Sequence, residues 1–387
     1  MKDIADVFLS DEQKALRDVA AKLADAEIAD ISMEWEASGV VDFPWLSKKL
    51  LDVGFLGMTV PEQYGGSSAS FLDFVIVLEE MSRVSQPAAF LMQATCSGPA
   101  SHVMHFAPDE VKQEILPKIV AGEAILAIAI TEPDAGSDVG GMKTRAVPTG
   151  NGTLKVSGNK IYVGGGGLAD YYVVYVRLSD APGTGGVGCA IVPKDTPGLT
   201  FGPQARLIGA RNIPRQEIIF DECEIPEKYV ILPAGKFHNL IDHFNGERVH
   251  NAAMSLGMAQ GAFEHSLAYA GERQQFQRPL AGFQGIQWKL GDMASKLTAI
   301  RLLVYSAAFA IDNGNQIGLA SSMAKYLASE LGYDIADNAL QIEGAFGFQD
   351  GSLVETHFRN LRAFRVAAGS SEMMLNYIGR KLTGLKA

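Results

Sequence analysis

The sequence predicts a mainly helical protein with a β domain at its centre: a helical domain over 1–122, a β domain over 123–231 and a helical bundle over 232–387. Three observations carry this. Apolar residues recur at helical spacing from Ser10 to about Val120; from about Glu123 to Ile231 the texture changes to short β-rich runs between turn residues; after Pro233 the helical period returns and persists. The chain has 387 residues, about 2.6 times the ~150 of a typical domain, so three packed parts have room for their cores.

In the first part, Ser10 followed by Gln13 forms a capping box, and Leu16, Val19, Ala20 and Leu23 follow at helical spacing. Prolines at 44, 61, 87, 99, 108 and 117 divide the region into several helices. In the second part the strand-like runs are 154–156, 160–163, 171–178, 188–193 and 216–220, with Ser157, Gly158 and Asn159 as a tight turn between the first two. Close spacing without intervening helices implies an antiparallel sandwich or barrel. In the third part Leu290, Met293, Leu297, Ile300 and Val304 line one face of a long helix, and Met323, Leu327, Leu331 and Ile335 do the same on the next, which predicts a bundle.

Apolar residues make up 47% and charged residues 20%, a globular composition. The 33 basic and 44 acidic residues leave a net charge of −11, which disfavours nucleic acid or an anionic membrane as the main partner. Cys96, Cys189 and Cys223 are odd in number and widely spaced, suggesting neither a disulfide framework nor a zinc site. The first residues lack the basic head and apolar core of a signal peptide, and the apolar run from Phe71 to Met81 is interrupted by Asp73, Glu79 and Glu80, so a cytoplasmic protein is expected.

Several motifs carry little. The glycines at 183, 185 and 188 match GxGxxG, but they precede a strand-like run and do not open a helix, so they predict a surface loop. His102 and His105, and the group His238, His243 and His250, have no zinc spacing and read as structural histidines. No GxSxG elbow is present. The stretch 130–144, ITEPDAGSDVGGMKT, is more informative: it concentrates hydroxyls and glycines just before the β region, where close backbone approach and donors suit an anionic cofactor or an ordinary loop.

TEPDAGSD within it resembles the signature of the acyl-CoA dehydrogenase family. The resemblance continues through PEQYGG at 61–66, KIYVGGGG at 160–167, ERQQFQRPLAGFQGIQ at 272–287, QIEGAFGF at 341–348 and RVAAGSSEMM at 365–374, and on these ordered motifs the chain is identified as a member. The family fold has a helical N-terminal domain, a β-barrel-like middle domain and a C-terminal four-helix bundle. The resemblance implies FAD, lined by Ile128, Ile130, Thr131 and Ser137 and flanked by Tyr162. From a neighbouring subunit, Arg273, Gln275, Phe276, Phe283, Gln284 and the stretch Gln341 to Ala345, including Gly344, would hold the pyrophosphate and adenine. Ser370 and Glu372 would complete the site. It further implies a homotetramer that passes electrons to electron-transfer flavoprotein.

The family chemistry takes the α-proton of an acyl-CoA thioester with a base while the β-hydrogen leaves as hydride to flavin N5. The usual base, a glutamate before the glycine of the C-terminal motif, is Ala368 here. A second family solution places the base on a helix before an arginine, and Glu247 followed by Arg248 matches it. A desolvated pocket would raise that carboxyl toward working pH. The backbone N–H of Ala368 survives the substitution and can serve the thioester oxyanion. Asn245, Arg248, Ser137 and Gly369 match positions near the thioester and its pantetheine arm, although Arg248 has the alternative of neutralising Glu247. Gly164 replaces a threonine whose hydroxyl approaches flavin N5, so the pocket is either roomier, for a branched, cyclic or polar acyl chain, or the glycines serve backbone geometry. The same motifs leave open an acyl-CoA reductase, a desulfinase-like enzyme, a carrier-protein-bound acyl dehydrogenase, or a subunit of a hetero-oligomer.

Overall fold

The computed structural model describes residues 3–385. Helix α1 spans Asp3–Asp6 and α2 Asp11–Leu23; a π-helical turn at Ala24–Ile28 leads into α3, Ala29–Ser38. There follow α4 (Phe43–Asp52), α5 (Phe71–Val84), α6 (Gln86–Cys96), α7 (Gly98–Phe106) and α8 (Asp109–Val120). The Ser10–Gln13 capping box closes on α2 as expected. Pro44, Pro87 and Pro99 sit in first turns and Pro108 caps α8, positions where a missing N–H costs nothing. Pro117 differs: it lies inside α8, which runs through it for one more turn.

The middle region holds β1 (Leu126–Ala129), β2 (Arg145–Pro148), β3 (Thr153–Gly164), β4 (Tyr171–Arg177), β5 (Val187–Pro193), β6 (Leu199–Gln204), β7 (Arg215–Pro226) and β8 (Val230–Leu232). The sheet order is β6-β7-β3-β2-β4-β5-β8, with β1 on β4. Two expectations need correction. The sheet is mixed, because β1 and β2 each pair parallel with β4. Ser157, Gly158 and Asn159 form no turn; β3 is one strand whose pairing with β7 shifts between Val156 and Gly158. Gly158 has φ +136°, and a Cβ there would stand 2.6 Å from Thr144 Oγ1, so its glycine permits a bulge and not a reversal.

The last part consists of α9 (Phe237–Glu272), a hairpin of β9 (Gln274–Gln275) and β10 (Arg278–Pro279), then α10 (Gln284–Asp312), α11 (Gly318–Glu343), α12 (Leu353–Phe364) and α13 (Ser371–Thr383). The stripe on α10 is borne out: Met293, Leu297, Ile300 and Val304 are buried. The stripe on α11 is not, since only Ile335 of the four is buried and Leu327 is exposed. Small residues, Ser321, Ala324, Ala328, Ser329, Gly332 and Ala336, take the inward face. Facing them on α9 is Ala259, whose Cβ lies 3.7 Å from where a Cβ at Gly332 would stand, so the helices approach closely there without large side chains. Among the described residues, helix α10 alone is long and apolar enough to cross a bilayer, but it is a bundle helix here, tied inward by Arg301.

Polar contacts fix the parts to one another. Asp312, at the end of α10, accepts hydrogen bonds from the Phe71 and Leu72 N–H groups at the start of α5, at 2.7 and 3.0 Å. Arg301 on α10 donates to Glu79 on α5 at 2.8 Å, and Tyr305 donates to the same carboxylate at 2.7 Å. Arg359 on α12 pairs with Glu36 on α3 at 2.8 Å, and Asn212 between β6 and β7 donates to Glu36 at 3.1 Å. These contacts tie the three parts to one another.

Candidate active site

Helix α9 carries Glu247 into the space behind α7 and β4. The carboxyl is 5% exposed, and its Oε1 has no hydrogen-bond partner among the described residues. His102 Nδ1 is 4.0 Å from Oε1 and His250 Nε2 is 3.6 Å from Oε2, but both rings are committed elsewhere. His102 Nδ1 donates to the Gly98 carbonyl at 2.9 Å, and its Nε2 accepts from Tyr175 at 3.0 Å. His250 Nε2 accepts from the Asn251 amide at 2.9 Å, which leaves Nδ1–H for Ser97 Oγ at 3.0 Å. Burial pushes His102 down to about 4 and His250 down to about 3, so both are neutral at pH 7. Without a cation beside it, Glu247 is pushed by burial up to about 8.

Arg248 does not neutralise it. Its Nη1 donates to Asn245 Oδ1 at 2.7 Å and its guanidinium lies 5.4 Å from the Tyr377 ring centroid. Its Nε is left without a partner, and burial lowers its pKa. Asn245 Oδ1 also accepts from Ser321 Oγ at 2.9 Å. One turn beyond Ser321 on α11 stands Lys325, whose Nζ donates to the carbonyls of Phe364 and Gly369 at 2.7 and 2.5 Å. Burial lowers Lys325 to about 8. Asn245, Ser321, Lys325 and the loop at Ala368 and Gly369 thus form one connected set. Ala368 has φ +54°, and its N–H makes no hydrogen bond among the described residues, which leaves a donor for an external oxygen. Lys325 escaped the reading of the sequence, where a lysine among small residues of an amphipathic helix looks like a solvated one.

The residues expected to line FAD fall into two groups. Ile130 and Thr131 follow β1 and meet β3, where the Ile161 N–H donates to the Thr131 carbonyl at 2.8 Å; Ile128, Tyr162 and Gly164 lie on these same strands, and Ser137 is exposed in the following loop. Buried Lys160 fixes this corner, donating to the Ile130 carbonyl at 2.9 Å and to Glu132 at 2.7 Å. Nothing in the sequence singled out Lys160 or Glu132. Tyr162 is 57% exposed at φ +56°, and the Thr131 and Ser137 hydroxyls make no hydrogen bond among the described residues. An apolar ring plus free hydroxyls on a fixed strand edge fit a flavin.

Arg273, Gln275, Phe276, Phe283, Gln284, Gln341, Gly344 and Ala345 gather where α9 ends, α10 begins and α11 ends. Phe276 and Phe283 meet edge to face at 6.2 Å, and His265 bonds Glu343 at 2.7 Å across the helices. From Glu247 to the end of α9 is about 38 Å at 1.5 Å per residue, so this group lies far along the helix from the carboxyl. Phe276 is 88% exposed, as a surface built for another molecule would be. Ser370 is engaged as the N-cap of α13, accepting from the Met373 N–H, and Glu372 lies in that helix's first turn, where the N-terminus lowers its pKa.

The N-terminal, middle and C-terminal domain models of acyl-CoA dehydrogenase match residues 10–123, 127–223 and 237–383. An acyl-CoA dehydrogenase of Bacillus subtilis is 35% identical, covering 98% of this chain and 100% of its own. A 3-sulfinopropanoyl-CoA desulfinase of Paraburkholderia xenovorans is also 35% identical, over 98% and 97%. The solved butyryl-CoA dehydrogenase of Megasphaera elsdenii superposes with a TM-score of 0.93 at 30% identity, over 97% and 99%. Structures of the same fold contain FADH2 or FAD. With the three domain matches covering most of its length in order, the chain belongs to the acyl-CoA dehydrogenase family of FAD-dependent oxidoreductases.

Proposed function

We propose that this chain dehydrogenates an acyl-CoA thioester between its α and β carbons, with Glu247 as the base for the α-proton. The observation that carries the reading is the Glu247 carboxyl: enclosed, with one oxygen unpaired, and raised to about 8. A base poised near the working pH takes a proton from carbon most effectively, and one free oxygen leaves room for it. FAD, when bound, supplies the acceptor for the β-hydrogen. The Ala368 N–H is the donor for the thioester oxygen, and Lys325 holds its loop in place through the Gly369 carbonyl. Asn245 and Arg248 lie beside the base and bind the pantetheine arm.

The cofactor is shared. Two separate FAD-directed groups, one on β1, β3 and the loop after β1 and the other where α9 ends, support a homo-oligomer, a tetramer as the family resemblance implies, in which each chain supplies one group to its own site and one to a neighbour's. The same resemblance supports electron-transfer flavoprotein as the electron acceptor, and the scattered cysteines and first residues support the cytoplasm as the place of work. A second reading, chemistry without net oxidation, is favoured by Ala368 together with the desulfinase at 35% identity.

An anaerobic titration with a panel of acyl-CoAs, following the flavin band for wild type and Glu247→Gln, separates these. Bleaching by one acyl class, lost in the variant, supports dehydrogenation and the base. A variant that bleaches as fast as wild type removes Glu247 from the mechanism, and absence of bleaching with every thioester favours the second reading.

A further inference from the structure

Gly164, the last residue of β3, lies directly opposite Arg215, the first residue of β7, in their antiparallel ladder. Residues paired this way direct their side chains to the same face. A Cβ at 164 would stand 3.0 Å from Arg215 Nη1 and 3.7 Å from Phe90 Cε2. The glycine therefore opens no empty space; it admits a guanidinium, flanked by an aromatic ring from α6.

Arg215 has no charge partner among the described residues. It is partly buried, no carboxylate forms a salt bridge with it, and its guanidinium makes no hydrogen bond among the described residues. Burial alone acts on it, and lowers its pKa. Arg17, Arg301 and Arg359 each hold a carboxylate, Asp6, Glu79 and Glu36, and buried Arg248 donates to Asn245, whereas Arg215 has no such partner among the described residues. An enclosed guanidinium without a counter-charge is unfavourable unless a ligand supplies one.

We propose that Arg215 is a specificity residue that holds an anionic group on the acyl chain, so that the preferred substrate is the thioester of a dicarboxylic or similarly acidic acyl group. The proposal rests on the reading above that acyl-CoA meets the flavin beside Gly164. A carboxylate presents two oxygens to the two-pronged donor of a guanidinium, whereas an oxidised flavin ring is neutral and offers no counter-charge. Phe90 on α6 also stands 3.1 Å from where a Cβ at Gly165 would be, so its ring walls the same side of the Gly164–Arg215 pair. In a chain of net charge −11, an acidic acyl group would be repelled on approach without such a local cation.

The test compares the FAD-loaded wild type with Arg215→Gln, Arg215→Lys and Gly164→Thr. The probes are two pairs of similar length, succinyl-CoA against valeryl-CoA and glutaryl-CoA against hexanoyl-CoA, with dissociation constants read from perturbation of the flavin band under anaerobic conditions. Wild type is expected to bind an acidic member at least about tenfold tighter than its uncharged counterpart. Arg215→Gln should abolish that ratio, and Arg215→Lys should retain part of it. Gly164→Thr, which crowds the guanidinium without removing it, should reduce the ratio and so carries the test if Arg215→Gln fails to fold. A wild type that prefers the uncharged member of both pairs, or an Arg215→Gln that keeps the ratio, overturns the proposal. So does an Arg215→Gln that melts like wild type but loses FAD, since the guanidinium would then serve the cofactor. If neither charge class perturbs the band, the acyl-CoA reading itself falls and takes this assignment with it.

Discussion

The carboxyl of Glu247 lies 3.6 Å from Nε2 of His250, one helical turn further along α9, and the two do not form an ion pair. The ring nitrogen is already accepting from Asn251, and burial keeps the imidazole neutral. The carboxyl is thus held near a base that cannot charge. With a folded value of about 8, it is mostly protonated at pH 7 and becomes competent only as pH rises. The rate of flavin reduction by a saturating acyl-CoA should therefore climb about tenfold per unit below pH 8 and level above it. In Glu247→Gln it should fall by about 10² to 10⁴ and lose that dependence. Stopped-flow reduction between pH 6 and 9 measures this, and a flat wild-type profile would exclude the carboxyl as base.

The buried histidines make the protein sensitive to acid. His102, His243, His250 and His357 are held down to about 4, 2, 3 and 4 from an unfolded value of 6.5. Unfolding therefore takes up protons below pH 6.5, and the stability these neutral rings contribute is complete above 6.5 and lost as pH falls. Each contributes a slope of up to about 1.4 kcal/mol per pH unit. Urea midpoints between pH 7.5 and 5 should begin to drop near 6.5. A constant midpoint across that range would show that the rings are not buried in neutral form.

Much of the fold was legible because its signals are written in local runs, and the candidate site was legible only as motifs of the family resemblance. The Ser10 and Gln13 cap and the α10 stripe depend on neighbours within a turn or two, and the structure has them as expected. What failed depended on distant partners. Gly158 looks like a turn residue in isolation, but Thr144, brought against it by β2, turns it into a bulge within one strand. Leu327 looks like core until the small residues of α9 draw the other face of α11 inward. Lys325 and Arg215 look solvated because their neighbours are 39 or more residues away in the chain.

Lys325 gives a sharp test of how the oxyanion donor is positioned. Its ammonium is the only side-chain donor to the Gly369 carbonyl among the described residues, and it also satisfies Phe364. Lys325→Met keeps the volume and removes the charge, leaving the Gly369 carbonyl without its side-chain donor at about 1 to 3 kcal/mol, while the Phe364 carbonyl keeps Ser329 Oγ at 3.1 Å. The melting temperature should drop by several degrees. Because the Ala368 N–H would then wander, the reduction rate should fall more than thioester affinity does. An unchanged rate in a folded, FAD-replete variant would detach Lys325 from the site.

Ala368 offers the converse experiment. The residue already sits at φ +54°, so its backbone bears the left-handed strain of a residue with a Cβ, and a longer side chain there adds none. The surrounding loop is only partly buried, which leaves a carboxylate room to project into the cleft. In the double variant Glu247→Gln, Ala368→Glu, a base is moved from α9 to the position that carries it in the usual family pattern. Flavin reduction should recover about 10- to 100-fold over Glu247→Gln alone, a part of what general base catalysis supplies. The recovered rate should rise through a lower apparent pKa than wild type, because a partly exposed carboxyl escapes the burial that raises Glu247 to about 8. A double variant that binds FAD and thioester normally yet reduces no faster than Glu247→Gln would mean that the cleft is shaped for a base on α9 alone.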